Sequence, residues 1–339
     1  MTKVFITGAS GFIAQHIIKL LLARNYEIIG TVRTKAKGEL LRSCLSPTDK
    51  FTYEIVSDIA EPGAFDHALK KNPGITYVFH AASPCFFETT DPEHDILIPA
   101  IRGTENILSA IVKYQPEVQR VVLTSSDAAI YSNEDEINSK LSFNESNWNN
   151  TKYEDALNDG ITAYYCAKAL AEKYAWEFML KNIPSFGLVA INPVYVFGPQ
   201  AYGVPENLNA SNELFTKLLN LGPDEKFDNE MGGFIDVRDI ASAHVFAIDS
   251  KEAVGRRLLV SNGQYSAQMI LDIINKHFPQ LNLPKGNEGT GEYDTMNLAR
   301  VNNSATRKLL NRRFNSLENI VVDTVSQLLD SRKNSKAHL

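Results

Sequence analysis

The chain enters a β-branched run at Lys3–Thr7 (KVFIT), leaves it through Gly8-Ala9-Ser10-Gly11, and passes at once into a helix-periodic stretch over residues 12–24. This junction constrains the fold more than any other feature. A strand that turns into a helix within a few residues lays that helix on one face of a sheet. The next strand, Glu27–Val32 (EIIGTV), then runs parallel to the first through a right-handed crossover. Gly8 permits the tight turn. Gly11 lets the helix N-terminus approach a pyrophosphate, whose charge the free N–H groups and the helix dipole stabilise. Ala14 holds the third position of the dinucleotide fingerprint and is small enough for close packing. Ser10, Phe12 and Ile13 complete the loop.

The same alternation continues. Strand-like runs at residues 52–56, 76–80 (TYVFH), 118–125 (ending VVLTSS) and 187–192 are separated by helix-like stretches at 64–71, 103–114 and 162–180. The strands read as apolar runs, as they must when helices cover both faces of a parallel sheet. The expected fold class is therefore α/β, a Rossmann-type doubly wound parallel sheet followed by a smaller, irregular C-terminal substrate-binding domain. The division expected is 1–195 for the cofactor-binding domain, with residues of about 234–262 packing back onto it, 196–330 mainly for the substrate domain, and a frayed polar tail at 331–339. Helical patterns at 213–221, 236–249, 266–277, 304–310 and 317–329 and a strand at 257–260 belong to the later part. Residues 222–233 and 280–294 read as loops.

Composition narrows the classes of partner. A length of 339 residues with 44% hydrophobic and 22% charged residues is ordinary for a globular protein, and a formal net charge of −6 leaves no basic footprint for nucleic acid or an anionic membrane. No run approaches the roughly 18 apolar residues of a membrane span. Met1 leads straight into the strand pattern, so no secretory leader is expected. Cys44, Cys85 and Cys166 form no CxxC pair. A disulfide framework and a thiolate zinc site are both unsupported, and a reducing cytoplasmic or nuclear compartment is expected. His80, His94 and His244 have no metal-ligand spacing, and no metal is expected.

The end of the second strand bears on which dinucleotide would fit. An NAD site usually places a carboxylate there for the ribose hydroxyls. Here the sequence runs Gly30-Thr31-Val32-Arg33, with Lys35 and Lys37 beyond. The planar fork of Arg33 suits a 2′-phosphate, and the lysines add charge. NADPH/NADP+ is the expected cofactor; the alternative is a solvated surface cluster. Asp58 and Ile59 follow the third strand, where a carboxylate could meet an adenine amino group, though Asp58 fits a turn cap as well.

Tyr164 and Lys168 stand four apart on a helical stretch and share a face. An ammonium one turn from a phenol can lower the phenol's pKa and give a proton donor or acceptor that works near neutrality. Such pairs also arise by chance on helices, and Tyr165 competes for the role without a lysine four residues later. Ser125 and Ser126 lie at the carboxyl end of the fifth strand, where open α/β sheets bind ligands. Glycine loop, strand-end serines and the Tyr/Lys helix point to one crevice.

At these residues the chain resembles the extended short-chain dehydrogenases/reductases, and within them the fungal NADPH-dependent aldehyde and ketone reductases related to dihydroflavonol reductases. The resemblance covers almost the whole chain and rests on VFITGASGFIAQHII, HAASPCFFETT, RVVLTSS, YCAKALAEKYAWEF, NPVYVFGPQ and GGFIDVRDIASAH. It implies hydride transfer from NADPH to small aldehydes, ketones or diketones of the methylglyoxal or 3-methylbutanal kind. It further implies catalytic roles for Ser126, Tyr164 and Lys168, with Asn106 supporting them. Implied cofactor contacts include Arg33, Lys37, Ala81, Ala82, Ser83, Thr124, Pro193 and Val196. Implied carbonyl-pocket residues are Phe86, Tyr131, Tyr195 and Tyr202, beside Ser126 and Tyr164. A monomer or homodimer is implied.

The chain departs from the family's pattern at Asp127, where relatives carry a small or aromatic residue, and at Ala167, where serine is common. The neighbouring Ala128, Ile130 and Tyr131 also differ, which bears on substrate preference. Alternatives within the fold are a dihydroflavonol- or steroid-type ketone reductase, a sugar-nucleotide epimerase, and a non-catalytic NADP-binding sensor.

Overall fold

The computed structural model describes residues 2–46, 48–205 and 208–337. In chain order its strands are β1 (Lys3–Thr7), β2 (Glu27–Val32), β3 (Phe51–Ile55), β4 (Ile75–His80), β5 (Arg120–Thr124), β6 (Ser142–Phe143), β7 (Gly187–Pro193), β8 (Tyr195–Phe197), β9 (Met231–Asp236), β10 (Arg257–Val260), β11 (Gln264–Ser266) and β12 (Arg300–Val301). Seven of them form a wholly parallel sheet in the order β10-β7-β5-β4-β1-β2-β3. From β1 the chain moves outward through β2 to β3, then returns to lay β4 on the other side of β1. The switch point therefore falls between the carboxyl ends of β1 and β4, where Thr7 pairs with His80. Ligands bind at such a crevice in open α/β sheets.

Side chains alternate along each strand and feed two cores. Val4, Ile6, Ile28, Val122 and Val189 face a core shared with helices Phe12–Ala23 and Val237–Asp249. Phe5, Ile29, Val78, Val121 and Leu188 face the other, shared with helices Asp66–Lys71, Ile98–Tyr114 and Gly160–Asn182. A third core lies in the C-terminal part. There Phe197, Phe215, Tyr265, Ile270, Ile274, Ile320 and Val325 join the small sheet β11-β9-β8 to the later helices.

Several elements differ from the sequence reading. Strand β9 begins inside the stretch 222–233 read as a loop, and a short helix, Gly291–Asp294, closes the loop 280–294. Residues beyond Arg33 form a helix, Lys35–Cys44, started by Thr34, whose hydroxyl accepts from the Lys37 amide. The final helix runs from Leu317 to Ala337, well past residue 329, and its apolar positions as far as Leu329 pack on the third core. Most of the stretch read as a frayed tail is thus helical; residues 338–339 lie outside the described residues.

Candidate active site

The glycine loop sits at the switch point. Gly8 adopts φ +65, and a Cβ there would come within 3.0 Å of the Ala82 Cα, so the loop closes directly against the chain leaving β4. Helix Phe12–Ala23 begins without a side-chain cap and without an acid in its first turn. Its free N–H groups and dipole therefore remain available for an anion. Ser10 turns its carbonyl inward to accept from Gln15, while Phe12 and Ile13 pack on the first core. At the end of β2, Arg33, Lys35 and Lys37 are exposed, and their side chains have no ion-pair or hydrogen-bond partner among the described residues. These residues fit a dinucleotide with an extra phosphate: a close-approach cradle, an uncapped helix start and unneutralised cations.

Thr7 and His80 set the loop after β4. The Thr7 hydroxyl accepts from the amides of Ala81 and Ala82 at 3.1 and 3.0 Å, and so donates its own proton to His80 Nδ1 at 2.8 Å. Burial, with Lys168 nearby, pushes the His80 imidazolium down to about 3, so the ring is neutral. Ala81, Ala82 and Ser83 are thereby held beside Gly8. Beyond them the chain crosses the start of helix Gly160–Asn182 so closely that a Cβ on Gly160 would lie 1.9 Å from the Phe87 carbonyl oxygen. Only glycine fits there. The contact brings the Phe87 ring edge-on to Tyr164, 5.3 Å between centroids. Phe86, the residue expected in the pocket, is 40% exposed, and its neighbour Phe87 makes the contact with Tyr164.

Helix Gly160–Asn182 starts at Asp159, whose carboxylate accepts from the Thr162 amide. It carries Tyr164, Lys168 and Glu172 on successive turns. Ser126, Tyr164 and Lys168 come together: the Tyr164 hydroxyl lies beside Ser126 and Cys85, and the Lys168 ammonium sits 5.6 Å from the Tyr164 ring centroid. Lys168 is buried, yet its ammonium has no hydrogen-bond or ion-pair partner among the described residues. Burial lowers its pKa, opposed by Cys85 and Glu172. Burial likewise raises Tyr164 well above the usual phenol range, with Cys85 adding to the rise and Ser126 opposing it. The expectation that Lys168 depresses this phenol is not met. Burial is the largest influence on it, and Tyr164 is a protonated donor at neutral pH.

Other expected residues take different places. Asn106 is a clamp on the loop after β3: its side-chain N–H groups donate to the Ile59 and Glu61 carbonyls at 2.8 Å each, and its oxygen accepts from the Gly63 amide. It positions Ile59, while Asp58 caps its own turn by accepting from Ala60. The Thr124 hydroxyl is committed to His244, whose Nδ1–H donates to the Ile240 carbonyl, so Thr124 donates to Nε2. Tyr131 is a core residue and no part of the pocket wall: it is 2% exposed, stacks on Phe143 and donates to Asp127. Tyr202 packs against the first core, as Phe12, Ile13 and Ala81 do. Tyr195 faces Tyr265 and Phe197 in the small sheet. Pro193 ends β7 opposite Val260, and Val196 lies on β8.

The sequence pattern does not point to Glu172, Asn192 and Arg257, which form a buried floor under the serines. Glu172 accepts from Ser125 (2.6 Å), Asn192 (2.7 Å), Trp176 (3.1 Å) and Arg257 (2.6 Å). Asn192 also donates to the Ser126 carbonyl at 2.9 Å. Glu172 was legible in principle, since it continues the Tyr164–Lys168 spacing by one more turn. Arg257 was not, because it arrives from β10.

With this geometry in view, the comparisons with known proteins decide the family. Residues 4–260 match the pattern of the NAD dependent epimerase/dehydratase family. The chain belongs to that family. Within it the chain is an extended short-chain dehydrogenase/reductase, similar to fungal NADPH-dependent carbonyl reductases. The NADPH-dependent methylglyoxal reductase of Saccharomyces cerevisiae is 44% identical over 335 residues, covering 96% of this chain and 98% of that protein. The crystal structure of yeast methylglyoxal/isovaleraldehyde reductase complexed with NADPH superposes with a TM-score of 0.95 at 43% identity, over 98% of this chain and 99% of that one. A related NADPH complex from Candida albicans superposes with a TM-score of 0.93 at 38% identity, over 98% and 99% of the two chains. Among the described residues no helix is long and apolar enough to cross a membrane.

Proposed function

We propose that the chain is an NADPH-dependent reductase that converts small aldehydes, ketones and diketones, methylglyoxal among them, to alcohols. The observation that carries this reading is the meeting of a protonated Tyr164 with Ser126 and a buried, unpartnered Lys168, at the crevice where the glycine loop opens. The relatives named above support the cofactor and the substrate class.

Bound NADPH supplies the hydride. The protein's own residues bind, orient and move a proton. The loop from Gly8 to Gly11 and the uncapped helix start hold the diphosphate, and Arg33, Lys35 and Lys37 hold the 2′-phosphate as charge-assisted donors. Lys168 has its donors free for the nicotinamide ribose hydroxyls. As charge develops on the carbonyl oxygen, the Tyr164 hydroxyl donates to it and passes its proton to the alkoxide. A phenol raised by burial holds that proton until the alkoxide, the stronger base, appears. Ser126 is the second group beside that oxygen. Phe87, edge-on to Tyr164, and Tyr195 near it give the substrate an aromatic surround suited to a compact, uncharged carbonyl compound.

A spectrophotometric assay of NADPH oxidation tests this, run with and without methylglyoxal, 3-methylbutanal, a diketone and an aryl ketone. Carbonyl-dependent oxidation, with NADH a poorer donor, is the expected result. A protein that binds NADPH but oxidises it with none of these compounds would overturn the reading.

A further inference from the structure

The reductase reading does not use Asp127, a buried acid next in sequence to the catalytic serine. It is 6% exposed and sits against the catalytic serine. Its Oδ1 accepts from the Ser126 hydroxyl at 2.8 Å and from the Ala128 amide at 2.9 Å; its Oδ2 accepts from the Tyr131 hydroxyl at 2.5 Å. A serine hydroxyl has one proton. While that proton is donated to a carboxylate, Ser126 can only accept, and it cannot also donate to a substrate oxygen.

We propose that Asp127 is a positioning residue that sets which way the Ser126 hydroxyl donates: as a carboxylate it holds the serine's proton away from the substrate, and once protonated on Oδ2 toward Tyr131 it offers only a neutral carbonyl and releases it. The inference rests on the reductase reading given above. A charge-assisted bond is roughly twice as strong as a neutral one, so the neutral acid loses the competition with a polarised carbonyl that the carboxylate wins.

The surroundings make Asp127 able to change state. The titratable groups facing it are Glu136 and the hydroxyls of Tyr131, Tyr164, Tyr165, Tyr195 and Tyr265. No cation is among them. Arg257, the nearby guanidinium, is engaged with Glu172 and with the carbonyls of Ala129, Glu145 and Asn147. Burial raises the Asp127 carboxyl, and the bonds from Tyr131 and Ser126 oppose the rise. Glu136, buried with Asp127 beside it, is itself pushed up to about 7. Two such acids release their protons in steps that belong to the pair.

The test compares wild type, Asp127→Asn and Tyr131→Phe, each with and without Ser126→Ala, by kcat/KM for methylglyoxal from about pH 5 to about pH 8. The asparagine is isosteric with the protonated acid and cannot ionise. In wild type, Ser126→Ala should cost about tenfold at the acid end and less than about threefold at the alkaline end. In the Asp127→Asn background it should cost about tenfold throughout. Tyr131→Phe removes a bond that favours the carboxylate, so the wild-type decline should move to higher pH. NADPH affinity and thermal unfolding, measured alongside, identify a variant that has failed to fold; Asp127→Ala then replaces it. The proposal is overturned if Ser126→Ala costs the same at both ends of the range and in both backgrounds. Failure of the reductase reading would look different: no carbonyl-dependent turnover by wild type at any pH.

Discussion

Ser125 and Ser126 are adjacent, and each donates its hydroxyl proton to a buried carboxylate, yet the two carboxylates live in opposite surroundings. Glu172, under Ser125, is fully buried and meets the guanidinium of Arg257, the Trp176 indole and the Asn192 amide. Arg257 in turn stacks on Trp148, 3.7 Å from its ring centroid. Asp127, under Ser126, meets hydroxyls and one amide, and the nearest charged group of the same network is another acid, Glu136. Glu136 accepts from Tyr165 at 2.7 Å through Oε2. A buried carboxylate held by a guanidinium and three further donors is fixed in place. One held by tyrosines and faced by a second acid is ready to take a proton. The first network is scaffold, and the second is the adjustable part of the site.

The largest effect expected from this contrast is at Arg257. Arg257→Met leaves Glu172 buried without its cation, and removing one partner of a buried pair costs about 3–5 kcal/mol. A large drop in Tm is expected; a variant as stable as wild type would remove the distinction between the two networks. Next in size is Arg33→Ala, which lies outside both. It should weaken NADPH by about 10–100-fold through loss of a charge-assisted contact, while NADH is little affected. Equal losses for the two cofactors would show that Arg33 does not read the extra phosphate.

Glu136→Gln should give the smallest change and the most telling one. Glu136 binds its proton more tightly folded than unfolded, with its pKa moved from 4.5 to about 7. Wild-type stability should therefore fall as pH rises between those values and level off above. The glutamine variant should lose that slope. An unchanged slope, followed by urea unfolding across the range, would count against a titrating pair.

How far the site could be read from sequence follows from how local each part is. The glycine loop spans residues 8–14, and the Tyr164–Lys168 pair needs only helical spacing, so both were legible. Strand-end Ser126 followed from the position of β5. The helix Lys35–Cys44 was hidden because KAKGELLRSC reads as a cationic, glycine-broken stretch, and its start depends on the Thr34 cap. Tyr131 is a pocket aromatic only by the family resemblance; it stacks on Phe143 and its hydroxyl donates to Asp127, contacts that periodicity does not encode. Asn106 was credited to the catalytic region because only the fold shows that its three polar bonds go to residues 59–63. Arg257 joins Glu172 across 85 residues, through the pairing of β10 with β7.

The most direct test of the account is Tyr164→Phe, assayed for carbonyl reduction and for NADPH binding on the same preparation. The variant loses the proton donor and keeps the ring that packs against Phe87. Turnover should fall by about 10²–10⁴-fold, with NADPH affinity and Tm close to wild type. A Tyr164→Phe enzyme that reduces methylglyoxal at a rate near wild type would contradict the account.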